Sequence, residues 1–112
     1  MDASTRAALA LRLLLGAACG LPVSPALGGE VPAKVRTLCQ TCHGENGVAV
    51  LPGAANLAGQ QKEYLVQQLR AYRSGSRRSE QMSIIAKTLT DGEIENVAEW
   101  YSAIKVTVEV PK

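Results

Sequence analysis

Cys39-Gln40-Thr41-Cys42-His43 constrains what this chain can become more than any other stretch. Two thiols stand three residues apart, and an imidazole follows the second directly. Thiols that close closed by a disulfide would restrain little of the unfolded chain, so a structural bridge is a poor account of them. A structural zinc site needs four ligands, usually cysteine and histidine, and His43 is the one histidine of the chain. A thioredoxin-like dithiol requires a βαβ context, whereas the patterns below are helical. One further reading uses all three side chains. The spacing lets both sulfurs form thioethers with the two vinyl groups of a haem while the next residue reaches the iron.

The inventory favours covalent haem. Met82 is the only methionine besides Met1, so the chain offers one imidazole and one distant thioether for two axial positions. That pair raises the potential of a haem and suits electron transfer, because a soft, neutral sulfur favours reduced iron. Standing before Ile84 and Ile85, Met82 can also be read as core filler, the commoner role of a lone methionine.

The N-terminus looks like an export signal. Arg6 and Arg12 precede a roughly 11-residue apolar run at 13–23, and Ala26-Leu27-Gly28 places small residues where a signal peptidase reads. The run is short of the ~20 apolar residues that span a bilayer, and Pro22 and Pro25 close it. We expect a cleaved signal peptide at 1–28 and a single mature domain at 29–112. Retention of the segment as an anchor is the alternative, and lipidation at Cys19 has Gly16 against it, where a lipobox carries leucine. Cleavage would leave Cys39 and Cys42 as the only thiols and 84 residues in the domain. A core of that size is marginal without a staple, which a covalently held apolar cofactor would provide.

The domain carries ten Lys and Arg against nine Asp and Glu, a balance of about +1 that two haem propionates would reverse. Such a surface is not that of a nucleic-acid-binding protein. No stable membrane insertion is expected once the signal is removed.

Periodicity predicts helices throughout. At 29–42, Pro32 suits a first turn, and Val35, Leu38, Cys39 and Cys42 recur at three- and four-residue spacing, so apolar residues and thiols share a face. The stretch 44–59 carries four glycines and Pro52 and reads as loop. A loop so long in a small domain needs something to pack on, and a haem face is the expected support. At 60–74, Tyr64, Leu65, Gln68, Leu69 and Tyr72 line one side of an amphipathic helix that Gly75 ends. Ile84, Ile85 and Leu89 suggest a short helical turn after Met82. Thr90 and Glu93 form a capping box for a last helix reaching about Ile104, with Ile94, Val97, Ala98, Tyr101 and Ile104 inward. Tyr101 is expected to pack this helix against the cysteine-bearing one. The tail 105–112 alternates Val106, Val108 and Val110 with polar residues, and with no partner strand in view it is read as extended. Arg70, Arg73, Arg77, Arg78 and Lys87 form a basic cluster leading into Met82. It reads either as a solvated face that also pairs with propionates or as a docking patch for an acidic redox partner.

Beyond the haem motif, the stretches that carry a resemblance are Asn56-Leu57-Ala58-Gly59-Gln60, Tyr64-Leu65, Gln68-Leu69, Tyr72-Arg73 with Gly75, Met82, Leu89-Thr90, Ile94 and Trp100-Tyr101. As a set, the chain resembles a class I cytochrome c, similar to one half of cytochrome c4 and to the bacterial cytochrome c553 group. The resemblance implies an all-α fold with crossed N- and C-terminal helices around one haem c. It implies thioethers from Cys39 and Cys42, proximal His43 and distal Met82. Family members usually place a proline before the Asn-Leu-Ala-Gly run, and its carbonyl accepts from the proximal imidazole. Here Ala55 holds that position.

The function expected is one-electron transfer by a soluble periplasmic carrier between a redox donor and an acceptor, such as an oxidase, reductase or dehydrogenase. No bond chemistry of its own is expected. The alternatives are a haem subunit of a larger dehydrogenase or oxidase, with the tail as docking strand, and a gas-sensing or peroxidase-like haem with an open iron position.

Overall fold

The computed structural model describes residues 29–112. The expected signal peptide and Cys19 lie outside the described residues. In chain order the elements are a π-helical stretch Val35–Cys39 (π1) running directly into α1 (Gln40–His43), then α2 (Lys62–Ser74), α3 (Met82–Lys87) and α4 (Asp91–Ala103). Among the described residues there is no strand, and 105–112 has no regular structure.

The cysteine-bearing helix departs from the expected α-helical winding. The Gln40 amide closes on the Val35 carbonyl, five residues back. Thr37 turns its hydroxyl onto the Ala33 carbonyl at 2.9 Å, a local competition for backbone acceptors that disturbs regular helices. π-Turns inside helices are frequent at functional sites, and this one carries Cys39. Pro32 sits just ahead of the helical residues, its carbonyl taking the Arg36 amide.

Helix α2 packs on both α3 and α4. Leu65 and Val66 are its buried residues and Leu69 lies against the core, while Tyr64 stays 44% exposed. The expected single stripe is therefore shifted, because a helix with two neighbours must bury more than one face. Gly75 ends α2 in the left-handed region (φ 87°), and the Ala71 carbonyl receives the Gly75 and Arg77 amides, the C-terminal arrangement glycine makes possible. In α3, Ala86 is buried and Ile84 points outward, 68% exposed.

The capping box of α4 is formed as expected. Thr90 Oγ1 accepts from the Glu93 amide at 3.2 Å, and Glu93 Oε2 accepts from the Thr90 amide at 2.9 Å. Ile94, Val97, Ala98 and Tyr101 are buried, with Ile104 partly so and one residue beyond the helix. They form one core with Val35, Leu65, Val66 and Leu89, and Leu38, Cys39, Leu57 and Trp100 pack around it.

Ion pairs give the helix directions. Lys62 meets Glu99 at 2.7 Å, Arg70 meets Glu95 at 3.3 Å, and Arg73 pairs with Asp91. Numbers rise along α2 as they fall along α4, so the two run antiparallel. Each exposed pair contributes little stability, but together they favour this register. Lys34 reaches Glu93 at 3.6 Å, tying the start of the cysteine-bearing helix to the first turn of α4.

Candidate haem site

Cys39, Cys42 and His43 share one continuous helical segment, and all three are half-buried. Both cysteines are free thiols, so neither serves the fold as a bridge. Burial pushes the Cys39 thiol up to about 11; the adjacent Cys42 adds to the rise and Lys34 opposes it. Cys39 is thus a neutral S–H at neutral pH, at the margin of the core.

His43 ends the helix, and Gly44 turns the chain away at φ 70°. Its Nδ1 lies 2.7 Å from the Ala55 carbonyl. A carbonyl can only accept, so Nδ1 carries a proton, and in the neutral ring that leaves the lone pair on Nε2. Binding one ring nitrogen in this way orients a metal-ligating histidine and raises its basicity. The bond expected of the family's proline carbonyl is made here by alanine.

The loop that presents Ala55 is cross-linked to itself. The Cys42 carbonyl takes the Val50 and Leu51 amides at 2.9 and 3.4 Å, and the Gly47 carbonyl takes those of Leu57 and Ala58 at 2.8 and 3.1 Å. Asn56 Oδ1 accepts from the Ala49 amide at 2.8 Å. A β-carbon on Gly47, whose φ is 73°, would stand 2.5 Å from the Ala58 nitrogen, so only glycine lets the strands of this loop approach.

Helix α4 holds both ends of that loop. The buried Tyr101 hydroxyl donates to the Gly44 carbonyl at 2.9 Å, and Trp100 Nε1 donates to the Glu45 carbonyl at 2.8 Å. At the other end, the Gly59 amide donates to the Tyr101 carbonyl at 2.9 Å. Burial first, then the neighbouring Cys39 and Glu45, raise the Tyr101 hydroxyl above its ordinary range, so it stays a donor. The sequence reading anticipated that Tyr101 would pack against the cysteine-bearing helix but gave no role to its hydroxyl, to Trp100 Nε1 or to Asn56. The loop was expected to lean on haem, and protein bonds already hold its ends.

Met82 is on another element, the first residue of α3, half-buried, its amide bonded to Ser79 Oγ at 3.2 Å. No hydrogen bond joins it to the motif helix among the described residues. Apolar side chains remain uncovered on both elements: Val48, Val50 and Leu51 in the loop tied to Cys42, and Ile84 two residues past Met82. The donor set fits a covalent haem, which takes two thiols, one imidazole with Nδ1 occupied, one thioether and apolar walls. It does not fit a bare ion, since no three His, Cys, Asp or Glu side chains gather into a metal-ion site among the described residues.

The basic cluster is smaller than its sequence suggests. Arg70 and Arg73 are paired with α4. Arg77 donates to Gln68 Oε1 and lies 4.6 Å over the Tyr72 ring. Arg78 and Lys87 remain, with no ion pair among the described residues.

Comparison with known proteins finds no matching family model. The chain is similar to cytochrome c4 of Thiocapsa roseopersicina, 40% identical over 70 residues, which cover 62% of this chain and 36% of that protein. It is similar to cytochrome c-554(548) of Halomonas halodenitrificans, 37% identical over 68 residues, covering 58% of this chain and 82% of the relative. Among solved structures, a cytochrome c4 from Acidithiobacillus ferrooxidans superposes with a TM-score of 0.55 at 36% identity, over 59% of this chain and 38% of that one. The chain thus spans about a third of the length of the cytochrome c4 relatives and most of the length of cytochrome c-554(548).

Proposed function

This chain belongs to the class I c-type cytochromes, with their all-α fold and covalently bound haem c, and we propose that it is a one-electron carrier rather than an enzyme. The observation that carries the reading is the His43 Nδ1 bond to Ala55, which leaves Nε2 as a lone-pair donor beside two unbridged thiols.

Haem c supplies an iron that gains and loses one electron with no bond made or broken in a substrate. Cys39 and Cys42 would hold it through thioethers, so the cofactor is not lost between partners. His43 would serve as the proximal ligand, its ring held by Ala55. Met82 would serve as the distal ligand, its neutral sulfur favouring the reduced state. The apolar side chains left uncovered would exclude water from the porphyrin faces, which also raises the potential.

The pattern at 1–28 supports a place for this: read as a signal peptide, it would send the domain at 29–112 to the periplasm. No helix among the described residues is long and apolar enough to cross a membrane. The partners would be a protein donor and a protein acceptor, met in turn. The extended tail favours a second reading. Val106, Val108 and Val110 are 56–80% exposed, as a docking strand of a complex subunit would be.

A pyridine haemochrome spectrum of protein made with haem-attachment machinery tests the cofactor. Haem retained through acid–acetone extraction in the wild type, and lost when Cys39 and Cys42 are both alanine, is expected. A colourless wild-type product would overturn the assignment. Gel filtration from the native source separates free carrier from complex subunit.

A further inference from the structure

The residue proposed as distal ligand begins a helix that is too short to hold itself in place. Helix α3 has six residues, no side-chain cap on Gln81, and a polar approach at 75–81 without regular structure beyond turns. Isolated helices below ~12–15 residues are marginal in water, so the place of Met82 depends on what braces its first turn.

That brace is three hydrogen bonds made by the half-buried Ser79, two of them to the half-buried Ser83 and one to Met82. Ser79 Oγ accepts from the Met82 amide at 3.2 Å. The Ser79 amide donates to Ser83 Oγ at 3.0 Å, and the Ser79 carbonyl accepts from the Ser83 amide at 3.1 Å. Amide, carbonyl and hydroxyl of Ser79 are all engaged on the two residues 82 and 83. The arrangement works as a capping box does, with a hydroxyl four residues on in place of the usual carboxylate.

We infer that Ser79 and Ser83 are positioning residues for the Met82 thioether, fixing the backbone from which its sulfur approaches the iron. The inference rests on the reading of Met82 as distal ligand. Ser79 and Ser83 do not touch the iron. They act by limiting how far the first turn of α3 can swing away, and hence how often the sulfur gives up its place to another ligand. A net hydrogen bond alters such an equilibrium about five- to tenfold.

The test uses ferric holoprotein and imidazole as competing ligand, followed by loss of the far-red absorption band that a sulfur–iron bond gives. Ser79→Ala and Ser83→Ala are each expected to bind imidazole about five- to tenfold more tightly than wild type. Ser79→Thr, which keeps the hydroxyl, should restore the wild-type value. Ser76→Ala is the control from the same loop, since Ser76 bonds only to Ser74 and Ala71, and it should match wild type. Unchanged affinity in Ser79→Ala, or an equal rise in Ser76→Ala, would overturn the inference. Met82→Ala reports on the underlying reading alone. If that variant keeps the far-red band, Met82 is not the ligand, whatever the serine variants do.

Discussion

Tyr101 does with one residue what the loop at 44–59 cannot do alone: its hydroxyl holds Gly44 and its carbonyl holds the Gly59 amide. The Gly44 carbonyl also takes the Gly47 amide at 3.2 Å, so removing the phenol leaves it one partner. Tyr101→Phe should therefore destabilise the holoprotein by about 1 kcal/mol, the net value of one hydrogen bond. Denaturant titration would show it, and an unchanged midpoint would mean the bond is not formed in solution. Ala55 invites the opposite change. Its amide donates to no described residue, and the His43 bond uses only its carbonyl. Ala55→Pro is expected to preserve that bond and to stabilise by about 0.4–1 kcal/mol through a stiffer unfolded chain; a fall in stability would show that the backbone there does not accept proline. The availability of the Ala55 carbonyl was legible in the sequence. The partners of Tyr101, Trp100 and Asn56 were not, because hydroxyl, indole and amide donors leave no periodic trace and their acceptors are backbone atoms far along the chain.

At the scale of elements, apolar spacing and terminal residues were the readable signals. Thr90 with Glu93 announced α4, and Gly75 announced the end of α2. The π-winding at Val35–Cys39 was not readable, since a hydrogen bond spanning five residues and a threonine hydroxyl on a backbone carbonyl leave no mark on apolar spacing. The capping box also makes a pH-dependent contribution. The Thr90 amide bond holds the Glu93 carboxyl below its usual range against the cost of desolvation, with the Lys34 charge helping, and the Arg73 hydrogen bond does the same for Asp91. For a depressed carboxylate, the stabilisation is present above its unfolded pKa and is lost as pH falls through the folded value. Stability should accordingly decline as acid is added below the ordinary carboxylate range. Glu93→Gln with Asp91→Asn should flatten that decline, as read from denaturant midpoints across the acid range. Thr90→Ala should cost about 1 kcal/mol at neutral pH.

For the whole molecule, the contest between a solvated basic face and a docking patch is narrowed by the ion pairs of α2 and α4. Arg70 and Arg73 serve the helix register and Arg77 is held by Gln68 and the Tyr72 ring, which leaves Arg78 and Lys87 for a partner, in the elements that lead to and include Met82. If an acidic partner docks there, Arg78→Glu with Lys87→Glu should slow electron exchange with the physiological donor or acceptor and reduce its dependence on ionic strength. Equal rates and equal salt slopes would favour the solvated face. Which proteins those partners are was never readable, because two exposed cations specify a sign of charge and not a surface.

The bond between Tyr101 and Gly44 joins residues 57 apart in sequence. A chain synthesised from its N-terminus presents Cys39, Cys42 and His43 long before the helix that will clamp the following loop exists. Closing so distant a contact carries an entropic cost that local helices do not meet. The motif therefore spends its early life as an open, enterable segment, and the last helix to be made, α4, is the one that shuts it.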